Sequence, residues 1–143
     1  MIDVRVQSAD FDPGRQLERL RGLGRGAVAS LLCIAEAADD VTSILVEHYA
    51  AMAKGELGRI AEEAQARWPL SGIILIHRHG SFVPGDRILF VGAASSDHQA
   101  ALEACAYLAR SVRERAPFWR KEQLAGGGSR WMERLPSAER QPA

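Results

Sequence analysis

The run Arg115-Ala116-Pro117-Phe118-Trp119-Arg120-Lys121-Glu122 constrains this chain more than any other stretch. An amphipathic helical pattern opening at Asp97-His98 leads into it. Proline carries no N–H, and its ring pushes the preceding residue out of helical geometry, so the helix must stop by Ala116. Phe118 and Trp119 then supply large apolar anchors. Arg120 and Lys121 follow directly, held by those anchors instead of standing free in solvent. A chain ordered this way can build a fixed anion-binding site.

A length of 143 residues suits one domain. We expect that domain to occupy 1–134, with 135–143 as a loose, polar, proline-containing tail. The 18 basic and 18 acidic residues cancel, which argues against a general nucleic-acid surface. No apolar run is long enough to cross a bilayer, and the first residues do not read as a signal peptide. Cys33 and Cys105 lie far apart and form no CxxC motif, so reduced core thiols in the cytoplasm are expected.

Periodicity sets out the elements. Ile2, Val4 and Val6 alternate with polar residues as in a half-buried strand. Asp12-Pro13 reads as a cap and first turn of a short helix carrying Leu17, Leu20 and Leu23. The apolar segment 26–34 and the segment 41–49 flank a turn at Asp39-Asp40 and predict a hairpin. A long helix over 50–68 buries Leu57, Ile60, Ala61, Ala64 and Trp68 and ends at Pro69. Strands follow over 72–79 and 88–94, joined by a turn at Val83-Pro84-Gly85-Asp86. Ser96 and Gln99 form a capping box for the third helix, whose buried stripe is Leu102, Cys105, Leu108 or Ala109, and Val112. Gly126-Gly127-Gly128 reads as a flexible loop before Trp131-Met132-Glu133. The sum is an α+β fold in which antiparallel hairpins pack with three helices.

Several ordered motifs together resemble the large, catalytic subunit of molybdopterin synthase. They are Glu47-His48-Tyr49, Met52, Ala66-Arg67-Trp68-Pro69-Leu70, Ile76-His77-Arg78-His79-Gly80 and Pro84-Gly85-Asp86. Val91-Gly92, Glu103-Ala104-Cys105, Arg115-Ala116-Pro117-Phe118-Trp119 and Ser129-Arg130-Trp131 continue the series, in register from about Gly26 to Glu133 apart from one shortened hairpin. The resemblance implies an α/β hammerhead-like fold and a homodimer within a heterotetramer. It implies a small ubiquitin-like partner whose Gly-Gly tail ends in a thiocarboxylate. It further implies transfer of sulfur from that tail to cyclic pyranopterin monophosphate, giving molybdopterin, with no cofactor and no metal. Tail and substrate are both anionic, so the site needs fixed cations and a group that moves protons or bonds transiently to an intermediate.

The resemblance also marks departures. Glu36 stands where the family carries an arginine, Asp97-His98 where it carries His-Arg, and Arg113 and Arg120 where it carries lysines. Arginine still clamps phosphate or carboxylate, but it does not readily give up its proton, so it is a poor base or nucleophile. Lys121 adjoins the expected lysine position, although one step along a strand turns a side chain to the other face. Arg113, Arg120 and Lys121 are therefore the catalytic candidates. Asp97, His98, Arg113, Arg120, Lys121 and Glu122 are the substrate-binding candidates, while Arg110 and Arg115 read as solvated charges at a helix end. Three readings remain open: an altered sulfurtransferase, a non-catalytic homologue that binds a ubiquitin-like tail or a pterin, and a dimeric structural domain with no retained ligand.

Three other patterns carry less. His77 and His79 share a strand face and could join His48 on zinc, but no recognised ligand spacing accompanies them. Cys33 could hold a persulfide, yet it lies in an apolar strand where cysteines usually pack. Gly126-Gly127-Gly128 lacks the Lys-Ser/Thr ending and the strand–loop–helix setting of a phosphate loop.

Overall fold

The computed structural model describes residues 1–24, 26–116 and 118–132. Pro117, Glu133 and the expected boundary near 134 lie outside the described residues. Elements run β1 (Ile2–Gln7), α1 (Pro13–Arg21), β2 (Ala27–Ile34), β3 (Val41–His48), α2 (Ala50–Arg67), β4 (Leu70–Arg78), β5 (Gly80–Phe82), β6 (Arg87–Ser95), α3 (His98–Arg115), β7 (Phe118–Leu124) and β8 (Ser129–Met132). The architecture is α+β, as expected, with one sheet ordered β1-β4-β6-β2 and a second ordered β5-β3-β7-β8.

Strands β4 and β6 form the centre of the first sheet. Ile73 and Leu75 join the main core beneath α2 and α3, whereas Ile74 and Ile76 meet Phe11, Leu20 and Phe90 on the α1 side. Burial on both faces explains why this strand is a continuous apolar run instead of an alternating one. Gly92 lets α1 approach closely: a Cβ there would stand 2.5 Å from Leu20 Cδ1. Asp12 caps α1 by accepting from Gly14 N at 2.9 Å and Arg15 N at 3.4 Å. The turn after β5 also matches expectation, with Gly85 at φ +97° and Asp86 N donating to Val83 O.

Four local expectations are corrected. First, β2 and β3 do not pair with each other. β6 is buried on both faces and needs a neighbour on each edge; β4 takes one and β2 the other, in antiparallel register from Ala27↔Ser95 to Ile34↔Arg87. That places β3 in the second sheet, between β5 and β7. Second, α3 is capped by Asp97, not Ser96. Its carboxylate accepts from Gln99 N at 3.2 Å, while Ser95 Oγ accepts from Asp97 N at 3.0 Å. Gln99 turns instead to Glu103. Third, Leu102 is 61 % exposed, because the buried face of α3 runs through Ala101, Ala104, Cys105, Leu108 and Val112. Fourth, Gly126-Gly127-Gly128 is the tight connection of the β7–β8 hairpin. Gly127 and Gly128 adopt φ +85° and +88°, closed by Leu124 N to Gly128 O.

Candidate anion-binding site

Helix α3 ends as the sequence requires: Ala116 is extended, and its N–H returns to Val112 O. β7 then runs antiparallel to β3, with Phe118 opposite His48, Arg120 opposite Val46 and Glu122 opposite Ile44. Val46 and Ile44 are buried, as are Phe118 and Glu122, so Phe118, Arg120 and Glu122 face inward. Trp119 and Lys121 take the outer face, where Lys121 Nζ lies 5.1 Å from the centroid of the Trp131 ring. Arg120 and Lys121, adjacent in sequence, thus serve opposite sides of the sheet.

Arg120 donates from Nη2 to the main-chain oxygen of Glu36 at 2.9 Å. Its Nε is buried and has no hydrogen-bond partner among the described residues. A guanidinium held by one carbonyl with a buried donor unspent is poised to accept an anion. Arg113, in the last turn of α3, is exposed; its charge opposes the rise that burial gives the Cys33 thiol, three residues before Glu36. The Glu36 side chain is exposed, so Arg120 meets its backbone and not its carboxylate.

The other designated residues stand elsewhere. Glu122 is 6 % exposed and is neutralised by Arg130, whose Nε and Nη2 approach its Oε1 at 2.9 and 2.8 Å. Asp97 is committed to capping, and His98 is exposed beside it. Fifteen residues separate His98 from Arg113, which places them on one side of α3 but about 22 Å apart along its axis. Within one chain the two ends of α3 therefore cannot share a small ligand. Arg115 is not the solvated charge that the sequence suggested but a half-buried, ion-paired one. It bridges Glu56 at 2.8 Å and Glu63, which also accepts from Tyr107 Oη. That arrangement raises the Arg115 pKa and holds Glu63 below the usual carboxylate range. A shallow cleft of about 350 Å³ opens beside Arg115, lined by Ala51, Met52, Gly55, Glu56 and Arg59. None of the designated site residues lines it.

Burial pushes the Cys33 thiol up, with Arg113 opposing, and burial next to Cys33 pushes Cys105 up to about 11. Both therefore favour the thiol, which does not suit a persulfide carrier. The histidines flagged by spacing do gather, which spacing alone could not establish. The His48 and His79 rings lie 4.0 Å apart between centroids, and His77 stacks on Phe118 at 3.5 Å. Among the described residues, no group of three or more His, Cys, Asp or Glu side chains could hold a metal.

The fold is that of a two-sheet α+β protein, and Arg120 marks its candidate site for an anionic group. Residues 6–115 match the family model described as MoaE protein. The chain is 43% identical over 135 residues to the molybdopterin synthase catalytic subunit of Pseudomonas aeruginosa, covering 91% of this chain and 89% of that protein. It is 42% identical to the molybdopterin synthase catalytic subunit of Mesorhizobium japonicum, over 91% of this chain and 84% of that one. The solved structure of the molybdopterin biosynthesis MoaE protein from Burkholderia ambifaria superposes with a TM-score of 0.82 at 31% identity, covering 96% of this chain and 92% of that one. The chain belongs to the MoaE family.

Proposed function

We infer that this chain performs the work of a molybdopterin synthase catalytic subunit in molybdenum cofactor biosynthesis. It takes sulfur from the thiocarboxylated C-terminus of a small ubiquitin-like subunit and delivers it to cyclic pyranopterin monophosphate. The observation that carries the reading is the Arg120 guanidinium, fixed on the Glu36 carbonyl with its buried Nε unspent. In this reading Arg113 and Arg120 clamp anionic groups of tail or substrate and stabilise charge that develops as sulfur leaves the tail carbonyl. Neither guanidinium serves as the base, since arginine holds its proton. Lys121 lies on the outer face of the second sheet, and Asp97 and His98 lie at the far end of α3. We assign those three to a site completed by a second copy of the chain, which fits a homodimer within a heterotetramer. No helix of the described residues is long and apolar enough to cross a membrane, and we place the reaction in the cytoplasm. No observation favours the non-catalytic alternative.

Reconstitution tests this. The chain is mixed with a thiocarboxylated small subunit and cyclic pyranopterin monophosphate, and dithiolene product is measured. Product should form, and Arg120→Ala should lower kcat/KM by roughly 10²–10³, the usual effect of removing one charge-stabilising donor. Absence of product at every concentration of active partner would remove the assignment.

A further inference from the structure

The three clustered histidines take no part in the cation site, yet they meet where the two sheets join. His79 links β4 to β5, and its N–H donates to Gln7 O on β1. His48 ends β3 directly opposite Phe118. Its ring lies edge-on to His79 at 62° and 5.7 Å from the Phe118 ring. His77, from β4, stacks nearly parallel on Phe118, with 6° between the planes. Phe118 is thus gripped from both sheets, two residues before Arg120 and on the same face of β7.

Packing alone does not call for imidazoles there. His48 Nδ1 is buried and makes no hydrogen bond among the described residues, a disadvantage that a carbocyclic ring would not carry. What imidazole adds is a proton. Two imidazolium rings at the observed spacing would repel, so the contact holds only while at least one ring is neutral. We propose that His48, His77 and His79 are positioning residues, a proton-sensitive clasp on Phe118 that sets where β7 presents Arg120. The proposal rests on Arg120 being the functional cation.

The surrounding charges leave this pair largely to itself. Arg78 is drawn away to Ser8 O and Arg87 O and lies over Phe82. Glu47 is exposed on the outer face opposite Trp119, and Tyr49 is exposed. His77 Nδ1 stands 2.9 Å from Arg78 O, so as a hydrogen bond it carries the proton there. Arg120 is the cation on the same strand face, turned to Glu36.

The test follows the Arg120 Nε–Hε resonance in the ¹⁵N-arginine-labelled full chain, assigned by its loss in Arg120→Lys. Between pH 8 and 5 the wild-type signal should shift with a midpoint below about 6.5. In His48→Phe it should match wild type at pH 8 and stay fixed as pH falls. His79→Gln, which also cannot titrate, replaces His48→Phe if that variant does not fold. In the reconstituted enzyme the wild-type KM for the thiocarboxylated subunit should rise about tenfold from pH 7.5 to 5.5, and only about twofold in His48→Phe. Phe11→Ala, a cavity in the separate α1-side core, should lower the melting temperature without moving the Arg120 signal. A wild-type signal that stays still, or one that shifts equally in His48→Phe, overturns the clasp. A shifting signal in a chain that makes no molybdopterin would keep the clasp and dispose of the function instead.

Discussion

Arg120 and Glu122 sit on one face of one strand and do different work, because of what each finds opposite it. Glu122 finds Arg130 and is satisfied; Arg120 finds a single carbonyl and is not. Glu122→Ala should therefore act on stability. It leaves Arg130 without its partner and opens a gap under β3. Breaking a wholly buried pair costs about 3–5 kcal/mol, but the Arg130 side chain is 48% exposed, so water takes over much of its solvation. We expect a loss of about 1–3 kcal/mol in urea denaturation, on the scale of one unsatisfied buried group. Arg120→Ala should leave the urea midpoint nearly unchanged while activity collapses. Equal losses of stability from both variants would show that Arg120 is structural. The sequence exposed these two residues only in part. The Pro-Phe-Trp order showed where held cations would stand, but the strand period that separates Arg120 from Lys121 needs a register, and the register comes from β3. The pairing of Glu122 with Arg130 depends on the β7–β8 turn, which composition presented as a flexible loop.

Elements bear out the same distinction between local and non-local causes. The Asp12 cap of α1, the turn at Val83–Asp86 and the buried face of α2 all follow from neighbours within a few residues, and the sequence displayed them. The partner of β2 does not. A turn at Asp39-Asp40 suggests a hairpin, whereas the double-sided burial of β6, some sixty residues on, draws β2 away. Alignment of His48, His77 and His79 likewise depends on three strands meeting at Phe118. The helix α3 offers a measurable case of local control. Asp97→Ala removes the acceptor for Gln99 N and should cost about 1 kcal/mol, whereas His98→Ala, on an exposed side chain, should change stability by less than about 0.5 kcal/mol. Chemical denaturation at pH 7.5 checks both. Gly92→Ala should be worse than either, about 1–3 kcal/mol, since its Cβ would meet Leu20 at 2.5 Å and Phe90 at 2.8 Å inside a filled core. A neutral Gly92→Ala would mean that α1 packs more loosely on the sheet than these distances allow.

At the scale of the molecule, the two sheets and three helices are tied by groups whose protonation differs between folded and unfolded chains, and stability should follow pH in two separate windows. His79 is held below its ordinary value, by burial first and then by His48. Its folded form therefore binds protons less readily than the unfolded chain does. The stability at stake is intact above the unfolded value of about 6.5 and falls as pH drops from there towards the folded value. Glu56 and Glu63 are lowered chiefly by hydrogen bonds from Arg59 and Arg115 respectively. Asp10 is lowered chiefly by its hydrogen bond from Arg87, and Asp3 by Arg5 and Arg19 against the opposing effect of burial. Their contribution is present above roughly pH 4 and is lost as pH falls through their depressed folded values. Melting temperature measured from pH 8 to 3 should accordingly hold steady to about 7, decline modestly near 6, and fall again below about 4.5. The acidic window should include separation of α2 from α3, because Arg115 loses Glu56 and Glu63 together. His79→Phe should erase the first decline and leave the second, and Arg115→Met should shrink the second, to which Asp3, Asp10 and the Glu56–Arg59 contact still contribute, and leave the first. If His79→Phe retains the decline near pH 6, another group governs that window, and the histidine cluster has no thermodynamic coupling to the fold.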